Sequence, residues 1–332
     1  MVKRAAGKLH RVLLHHKEIR EAVDTYASLH TVDDRKALRK DIARTEKAEG
    51  FKPFEYIAFG FYGKPTEQRR TYVSLKELVD VFNKGESNTL PRSKYQRYLL
   101  YREFFRRDVI CISFDKSEEE QATFDSFISR HERFIAKPVN GTRGKGVIVL
   151  KATEVPDVDA LYKKMKTPVL LEEMIQQGEE LAQFHPASVN TIRLATSMNR
   201  EGEFRVLFAL FRVGRGASVT DNVGSGGLIC MIDKETGVIV SDCFYEHTYS
   251  MPVHPDTGLV FKGTQIPQWE ALLKIAEAAH RKTPDQLLLG WDFAWTTKCW
   301  DLVEVNPLPS FASIQQLSGK GIRPLLRGAK IL

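Results

Sequence analysis

The stretch Gly290–Phe311 reads GWDFAWTTKCWDLVEVNPLPSF. It sets Asp292 in one apolar run and the pair Glu304 and Asn306 in another, with a short polar turn between them. Side chains alternate across a strand, so Gly290, Asp292 and Ala294 share one face while Trp291, Phe293 and Trp295 take the other. The aromatic face belongs in a core, and the small-residue face leaves room for a ligand beside Asp292. A turn centred on Lys298 sets Asp292 directly across from Glu304, with Asn306 on the same face as Glu304. Carboxylates among Trp, Phe, Val and Leu are costly to bury unless positive charge sits beside them. The simplest such charge is a metal ion; an oxygen-only donor set suits Mg²⁺ or Mn²⁺ and argues against zinc. A structural Asp and Glu at the frayed end of a hairpin is the other reading of this segment.

Upstream, RFIAKPVNGTRGKGVIVL brings an apolar strand to its end at Lys137 and continues through Gly141, Gly144 and Gly146, with Lys145 between the last two. Glycines let successive backbone N–H groups turn inward and approach an anion. The loop is too short for a P-loop and leads into a strand, so neither that motif nor a dinucleotide fingerprint is present. A tight hairpin turn with basic residues for solubility is the alternative. In VLLEEMI (169–175), Glu172 and Glu173 sit inside an apolar run and need partners. One of them can accept a hydrogen bond from an amine while the adjacent backbone reads a heterocycle; a Glu on an exposed strand edge is the plainer option.

Two further strands carry arginines. HPASVNTIRLAT holds Asn190 and Arg193, and FALFRVGRG holds Arg212 and Arg215. With a two-residue tip on the Asn199–Gly202 turn, Arg193 and Arg212 point to one sheet face. Arginine at a strand end facing a cleft suits planar recognition of phosphate or carboxylate. TDNVGSGGLICMID adds a glycine-dense loop with Asp221 and Asn222, either a plain flexible loop or one that contacts substrate.

Around these motifs the chain reads as α+β in three parts: residues 1–92 mainly helical, 93–175 with the glycine-rich loop, and 176–332 with the carboxylates. In the first part Val12–Leu29 and Asp33–Glu49 are helical, with Gly50 a stop. Phe54–Tyr62 is a strand or an irregular packed segment, and Ser74 with Glu77 forms a capping box for a helix through Asn83. Four N-terminal histidines (His10, His15, His16, His30) lack ligand spacing and read as solvated helix positions. The 332-residue chain is 42% hydrophobic with net charge +7, which fits anionic ligands. The 42 acidic residues interleaved with the basic ones make this no polybasic tail, and nucleic-acid binding is not the favoured reading. The longest apolar run, Val206–Phe211, is far below the ~20 residues that span a bilayer. Four scattered cysteines indicate neither a disulfide framework nor a zinc site, so a reducing cytoplasm is the expected location.

Taken together, Lys137 with its glycine loop, the LLEEMI segment, HPASVNTIR followed by a DN…GG loop, and the closing hairpin resemble the ATP-grasp superfamily. Within it they look like the sugar-transfer-associated branch. The resemblance covers about Ser93–Gln316 and implies ATP sandwiched between two α+β subdomains. By position, Lys137 would contact the phosphates and the loop with Gly141, Gly144, Lys145 and Gly146 would cover them. Glu172 and the backbone of Glu173, Met174 and Ile175 would read adenine. Glu180, or equally Glu179, would take the ribose, and Lys94 would be an earlier phosphate-binding lysine. Arg193 and Arg212 would face the γ-phosphate and an acyl phosphate. Asp292, Glu304 and Asn306 would hold one or two Mg²⁺, and Pro309–Phe311 would wall the acceptor. The implied activity is an ATP-dependent carboxylate–amine ligase with a carboxylate substrate and an amine acceptor, either one sugar-linked or an amino acid. The implied setting is surface-polysaccharide or peptide-like metabolite synthesis. A phosphotransferase on the same fold, and a non-catalytic anion-binding protein, are the competing readings.

Overall fold

The computed structural model describes residues 2–84, 90–141, 145–222, 224, 226–245, 249–309 and 311–332. The chain begins with five helices: α1 (Val2–Leu29), α2 (Arg35–Glu49), α3 (Pro53–Ala58), α4 (Thr66–Arg69) and α5 (Leu75–Lys84). Asp34 caps α2 by accepting from the amides of Lys36 and Ala37, and Gly50 ends it at φ 79°, the left-handed conformation a helix stop favours. The aromatic segment expected as strand or irregular structure is instead α3. Pro53 opens it without needing an N–H, and the Glu55 carboxylate accepts the Lys52 amide at 2.8 Å. Its aromatic residues serve a helix-and-turn cluster of Phe51, Tyr56, Phe59, Phe61 and Tyr72. Ser74 does cap α5, accepting from Glu77 N at 3.1 Å. The Glu77 carboxylate is held by Arg323 at 2.5 and 2.7 Å.

Then follow α6 (Lys94–Tyr101), β1 (Val109–Ile112), α7 (Glu118–Arg130), β2 (Arg133–Pro138), β3 (Ile148–Lys151), α8 (Val158–Met165) and β4 (Val169–Glu173). The four strands form one antiparallel sheet in the order β1-β4-β2-β3. Phe124 and Phe127 of α7 and Val158 and Leu161 of α8 pack into its core with Phe134, Leu150 and Leu171. The periodicity of α7 and α8 supplies the apolar stripe this requires.

The remainder holds α9 (Glu179–Ala182), β5 (Thr191–Met198), β6 (Phe204–Val213), β7 (Leu228–Ile232), β8 (Cys243–Tyr245), β9 (Tyr249–Met251), α10 (Trp269–His280), β10 (Leu288–Trp295) and β11 (Trp300–Asn306). A seven-stranded antiparallel sheet results, ordered β11-β10-β5-β6-β7-β8-β9. Trp291, Phe293 and Trp295 join the main core, as the alternation of β10 predicts. Cys230 and Cys243, on neighbouring strands and buried, are joined in a disulfide, contrary to the reading of four unpaired cysteines. Their separation of 13 residues gives no framework signal; pairing of β7 with β8 makes them neighbours.

Helices α11 (Phe311–Ser318) and α12 (Arg323–Gly328) close the chain. The structure divides into two compact units, 1–87 with 310–332, and 88–309. The C-terminal helices therefore belong with the N-terminal ones, whereas the sequence grouped them with residues 176–332. The reason is a set of specific contacts. The buried Gln315 amide accepts from Val73 N at 2.8 Å and donates to its carbonyl at 2.9 Å. At Gly321 a Cβ would lie 2.1 Å from the Thr71 carbonyl carbon, so only glycine allows that approach.

Candidate functional site

In the second unit the closing hairpin has the facing pairs the sequence predicts, Asp292 across from Glu304 and Gly290 across from Asn306, but not through a turn centred on Lys298: Trp295 pairs with Trp300, and a bulge beside Asp292 shifts the register by one. On its other side Asp292 faces Arg193 of β5. Arg193 and Arg212 share a face for a different reason than expected. The β5–β6 hairpin opens with Met198 opposite Phe204, a register that would place the two arginines on opposite faces. A bulge between Ala195 and Thr196 shifts the pairing by one residue and sets Arg193 opposite Leu210, two positions from Arg212.

Both arginines converge on Asp292. Arg193 grips it with Nε to Oδ1 at 2.7 Å and Nη2 to Oδ2 at 2.5 Å, and Arg212 Nη1 adds a contact to Oδ2 at 3.0 Å. The positive charge demanded beside Asp292 is thus already present as arginine. Burial raises the Asp292 pKa, but the two guanidinium groups outweigh it and hold the carboxyl below its usual range. Arg212 also donates to Asp221 Oδ1 at 3.1 Å, and Thr191 Oγ1 donates to the other Asp221 oxygen. Burial, with Asp292 nearby, pushes the Asp221 carboxyl up. Gly290 leaves less room than its face implied, because Pro309 Cα would stand 3.2 Å from a Cβ there.

Asn306 Nδ2 reaches Asp292 Oδ2 at 3.5 Å, and Glu304, its side chain 37% exposed, has Lys94 Nζ 3.5 Å from Oε1. Lys94 thus lies beside a metal-type carboxylate. Among the described residues no group of three or more His, Cys, Asp or Glu side chains is arranged to hold a metal ion. The oxygen set of Glu304, Asn306 and Asp292 nevertheless has the chemistry of a hard divalent cation site. Of the three, Asp292 is held by both arginines, Asn306 donates to it, and Glu304 has Lys94 beside it.

On the four-stranded sheet, Lys137 Nζ donates to Glu172 Oε2 at 2.8 Å. Glu172, expected to accept from an adenine amine, is instead enclosed: Arg107 donates to the same oxygen through Nε at 3.0 Å and Nη2 at 2.7 Å. Burial alone would raise its pKa, yet Arg107 and Lys137 hold it down at about 2. Arg107 bridges onward to Asp301 Oδ1 at 2.7 Å. Sequence reasoning gave no site role to Arg107 and passed over Asp301. The available signal was Asp301 itself, a carboxylate inside the apolar run of β11, which poses the same charge question as Asp292.

The other expected site residues are more dispersed. Glu173 accepts the Asp108 amide at 3.0 Å, and Met174 and Ile175 follow the end of β4, half-buried. Glu180 accepts from Trp295 Nε1 at 2.9 Å. Gly141 and Lys145 are exposed, and Gly146 takes φ 75° against the Pro138 ring. Gly144 lies outside the described residues, as does Ser310 of the Pro309–Phe311 stretch.

The sequence from 108 to 330 matches the family described as sugar-transfer associated ATP-grasp. The chain belongs to that family. By sequence, no curated protein matches it. Among solved structures it is similar to the D-alanine–D-alanine ligase from Coxiella burnetii, with 12% identity, TM-score 0.45, and coverage of 74% of this chain and 57% of that one. It is also similar to the Helicobacter pylori D-alanine–D-alanine ligase (16%, 0.40, 73% and 58%). A third likeness is to N5-carboxyaminoimidazole ribonucleotide synthetase from Thermotoga maritima (10%, 0.42, 79% and 57%). The chain spans less than two thirds of the length of each. The family match, and not these distant likenesses, carries the assignment. Its α+β architecture, with a small four-stranded and a larger seven-stranded antiparallel sheet, is that of an ATP-grasp protein. No helix among the described residues is long and apolar enough to cross a membrane.

Proposed function

We propose that this ATP-grasp chain is an ATP- and Mg²⁺-dependent carboxylate–amine ligase that works through an acyl phosphate. The observation that carries the reading is the pair of arginines, Arg193 and Arg212, fixed by Asp292 on the sheet face that also bears Glu304 and Asn306. In the reaction a substrate carboxylate oxygen attacks the γ-phosphorus of ATP, giving an acyl phosphate and ADP. An amine then attacks the acyl carbon, expels inorganic phosphate and leaves an amide.

The first step brings two anions together and the second builds negative charge on the acyl oxygen and the departing phosphate, so both barriers fall when fixed positive charge is aimed at the transferring group. Arg193 and Arg212 supply that charge, with guanidinium planes held by Asp292 and Asp221 and therefore needing little reorganisation. Lys137 serves the phosphates from the other sheet, oriented by Glu172, with Gly141, Lys145 and Gly146 on the turn beyond it and Lys94 beside Glu304. The backbone of Glu173, Met174 and Ile175 reads the base, and Glu180 takes the ribose. Glu304, Asn306 and Asp292 would hold Mg²⁺, which when bound offsets phosphate charge.

Residues 93–175 and 176–309 then supply opposite sides of one nucleotide site. The acid and amine are sugar-linked or amino-acid compounds of surface-polysaccharide or peptide-like metabolite synthesis. A screen of carboxylates and amines by ADP release tests this: ADP should appear only with both substrates, and hydroxylamine should trap a hydroxamate from the productive acid. Formation of a stable phosphorylated product without any amine would overturn the ligase reading in favour of a phosphotransferase.

A further inference from the structure

The buried cluster around Glu172 contains two residues, Arg107 and Asp301, to which this chemistry gives no part. Arg107 stands between α6 and β1 with its guanidinium enclosed, 4.9 Å from the Phe105 ring centroid. Beyond its two bonds to Glu172 Oε2 and one to Asp301 Oδ1, it donates to the carbonyls of Leu302 at 2.8 Å and Val303 at 3.4 Å. One side chain thereby ties β4 of the four-stranded sheet to β11 of the seven-stranded sheet, one residue before Glu304. Lys137 shares the same Glu172 oxygen at 2.8 Å.

The charges in this cluster balance, with Arg107 and Lys137 against Glu172 and Asp301. Which cation neutralises Glu172 decides what Lys137 can do. With Arg107 in place, Glu172 is already satisfied and Lys137 keeps positive charge to offer a phosphate. With Arg107 removed, a buried carboxylate has Lys137 as its remaining charged partner, and at low local dielectric that pair tightens.

We infer that Arg107 is a positioning residue for nucleotide binding, which frees Lys137 for the phosphates by neutralising Glu172 and fixes β4 against the strand that carries Glu304. The inference rests on the ATP reading above. It gives opposite signs to two substitutions that a purely structural role would move the same way. Arg107→Met hands Lys137 to Glu172 and weakens ATP binding. Asp301→Asn keeps an oxygen for the Arg106 amide, which Asp301 Oδ1 now accepts at 3.0 Å, but removes the charge that competes for Arg107. Arg107 then turns more fully to Glu172, and ATP binding holds or strengthens.

The test is calorimetric titration of ATP with Mg²⁺ into the wild-type chain, Arg107→Met, Arg107→Met/Glu172→Gln and Asp301→Asn, with melting curves to establish that each is folded. Arg107→Met should lose affinity on the order of tenfold, the scale of one charge-assisted contact. Adding Glu172→Gln should recover most of it by releasing Lys137. A wild-type chain that binds no ATP would refute the nucleotide reading itself. If the wild type binds and folded Arg107→Met binds equally well, or the double variant recovers nothing, the inference fails. Should Arg107→Met not fold, Asp301→Asn decides: affinity at or above wild type supports the role, and weaker binding overturns it.

Discussion

Two buried clusters in this molecule are wired alike. In each, a carboxylate is held by two cations, and one of those cations also holds a second carboxylate. Glu172 has Lys137 and Arg107, with Arg107 reaching on to Asp301. Asp292 has Arg193 and Arg212, with Arg212 reaching on to Asp221. In both, the doubly held carboxyl is shifted down and the second one up. The difference lies in where the parts come from. The Asp292 cluster is built within one sheet and the loop after β6, whereas the Glu172 cluster joins two sheets through a residue outside any strand. A cluster inside a sheet inherits its geometry from strand pairing. One that spans sheets depends on a single side chain to hold it.

That contrast predicts unequal costs. Arg107→Met should be the most damaging, at about 3–5 kcal/mol, because it leaves buried Asp301 without a cation and Glu172 with a single Lys137 bond, and takes a donor from two carbonyls. Urea denaturation measures it, and a loss under about 1 kcal/mol would break the contrast. Arg212→Met should cost less, about 2–3 kcal/mol, since Arg193 still grips Asp292 with two bonds where Lys137 gives Glu172 only one.

The pH dependence sharpens the comparison. Glu172 is lowered from 4.5 to about 2, so its contribution is full above pH 4.5 and is lost as pH falls toward 2. Asp301 and Asp221 are raised, so theirs is full below the unfolded value and lost as pH rises through the shifted one. Unfolding free energies from urea curves between about pH 5 and about pH 3 should fall less steeply with falling pH in Glu172→Gln than in the wild type, by roughly 1 kcal/mol per pH unit, with Asp301 and Asp221 opposing the fall in both proteins. Equal slopes would show that Glu172 does not carry the acid limb.

The smallest effect on stability belongs to Glu304, the exposed member of the hairpin pair. Glu304→Gln should change stability by less than about 0.5 kcal/mol yet abolish ATP-dependent ADP release. An unaffected rate would remove it from the metal set. The same substitution at Asp292 cannot separate the two roles, because that carboxylate also anchors the arginines.

How much of this was written in the sequence follows the same division. Alternation along β10 placed the tryptophans inward, but Asp292 meets Glu304 through a bulge beside Phe293, because the turn alone, pairing Trp295 with Trp300, would set it across from Val303. The α+β architecture and the family were readable from the ordered motifs between Lys137 and Asn306. Aromatic density in Phe54–Tyr62 misled, because rings pack equally well from a helix capped by Glu55 and opened by Pro53.

Local periodicity therefore determined most of the strands and helices and the face shared by Glu304 and Asn306; it did not find β8 and β9. Tertiary structure alone decided what those groups meet. A one-residue bulge in the β5–β6 pair brought Arg212 round to Asp292, and a cation 65 residues before Glu172 in the chain settled that carboxylate. The physical reason is common to both. Pattern within a segment fixes which way a side chain points, whereas the charge that makes its burial tolerable comes from whichever distant residue folding places beside it.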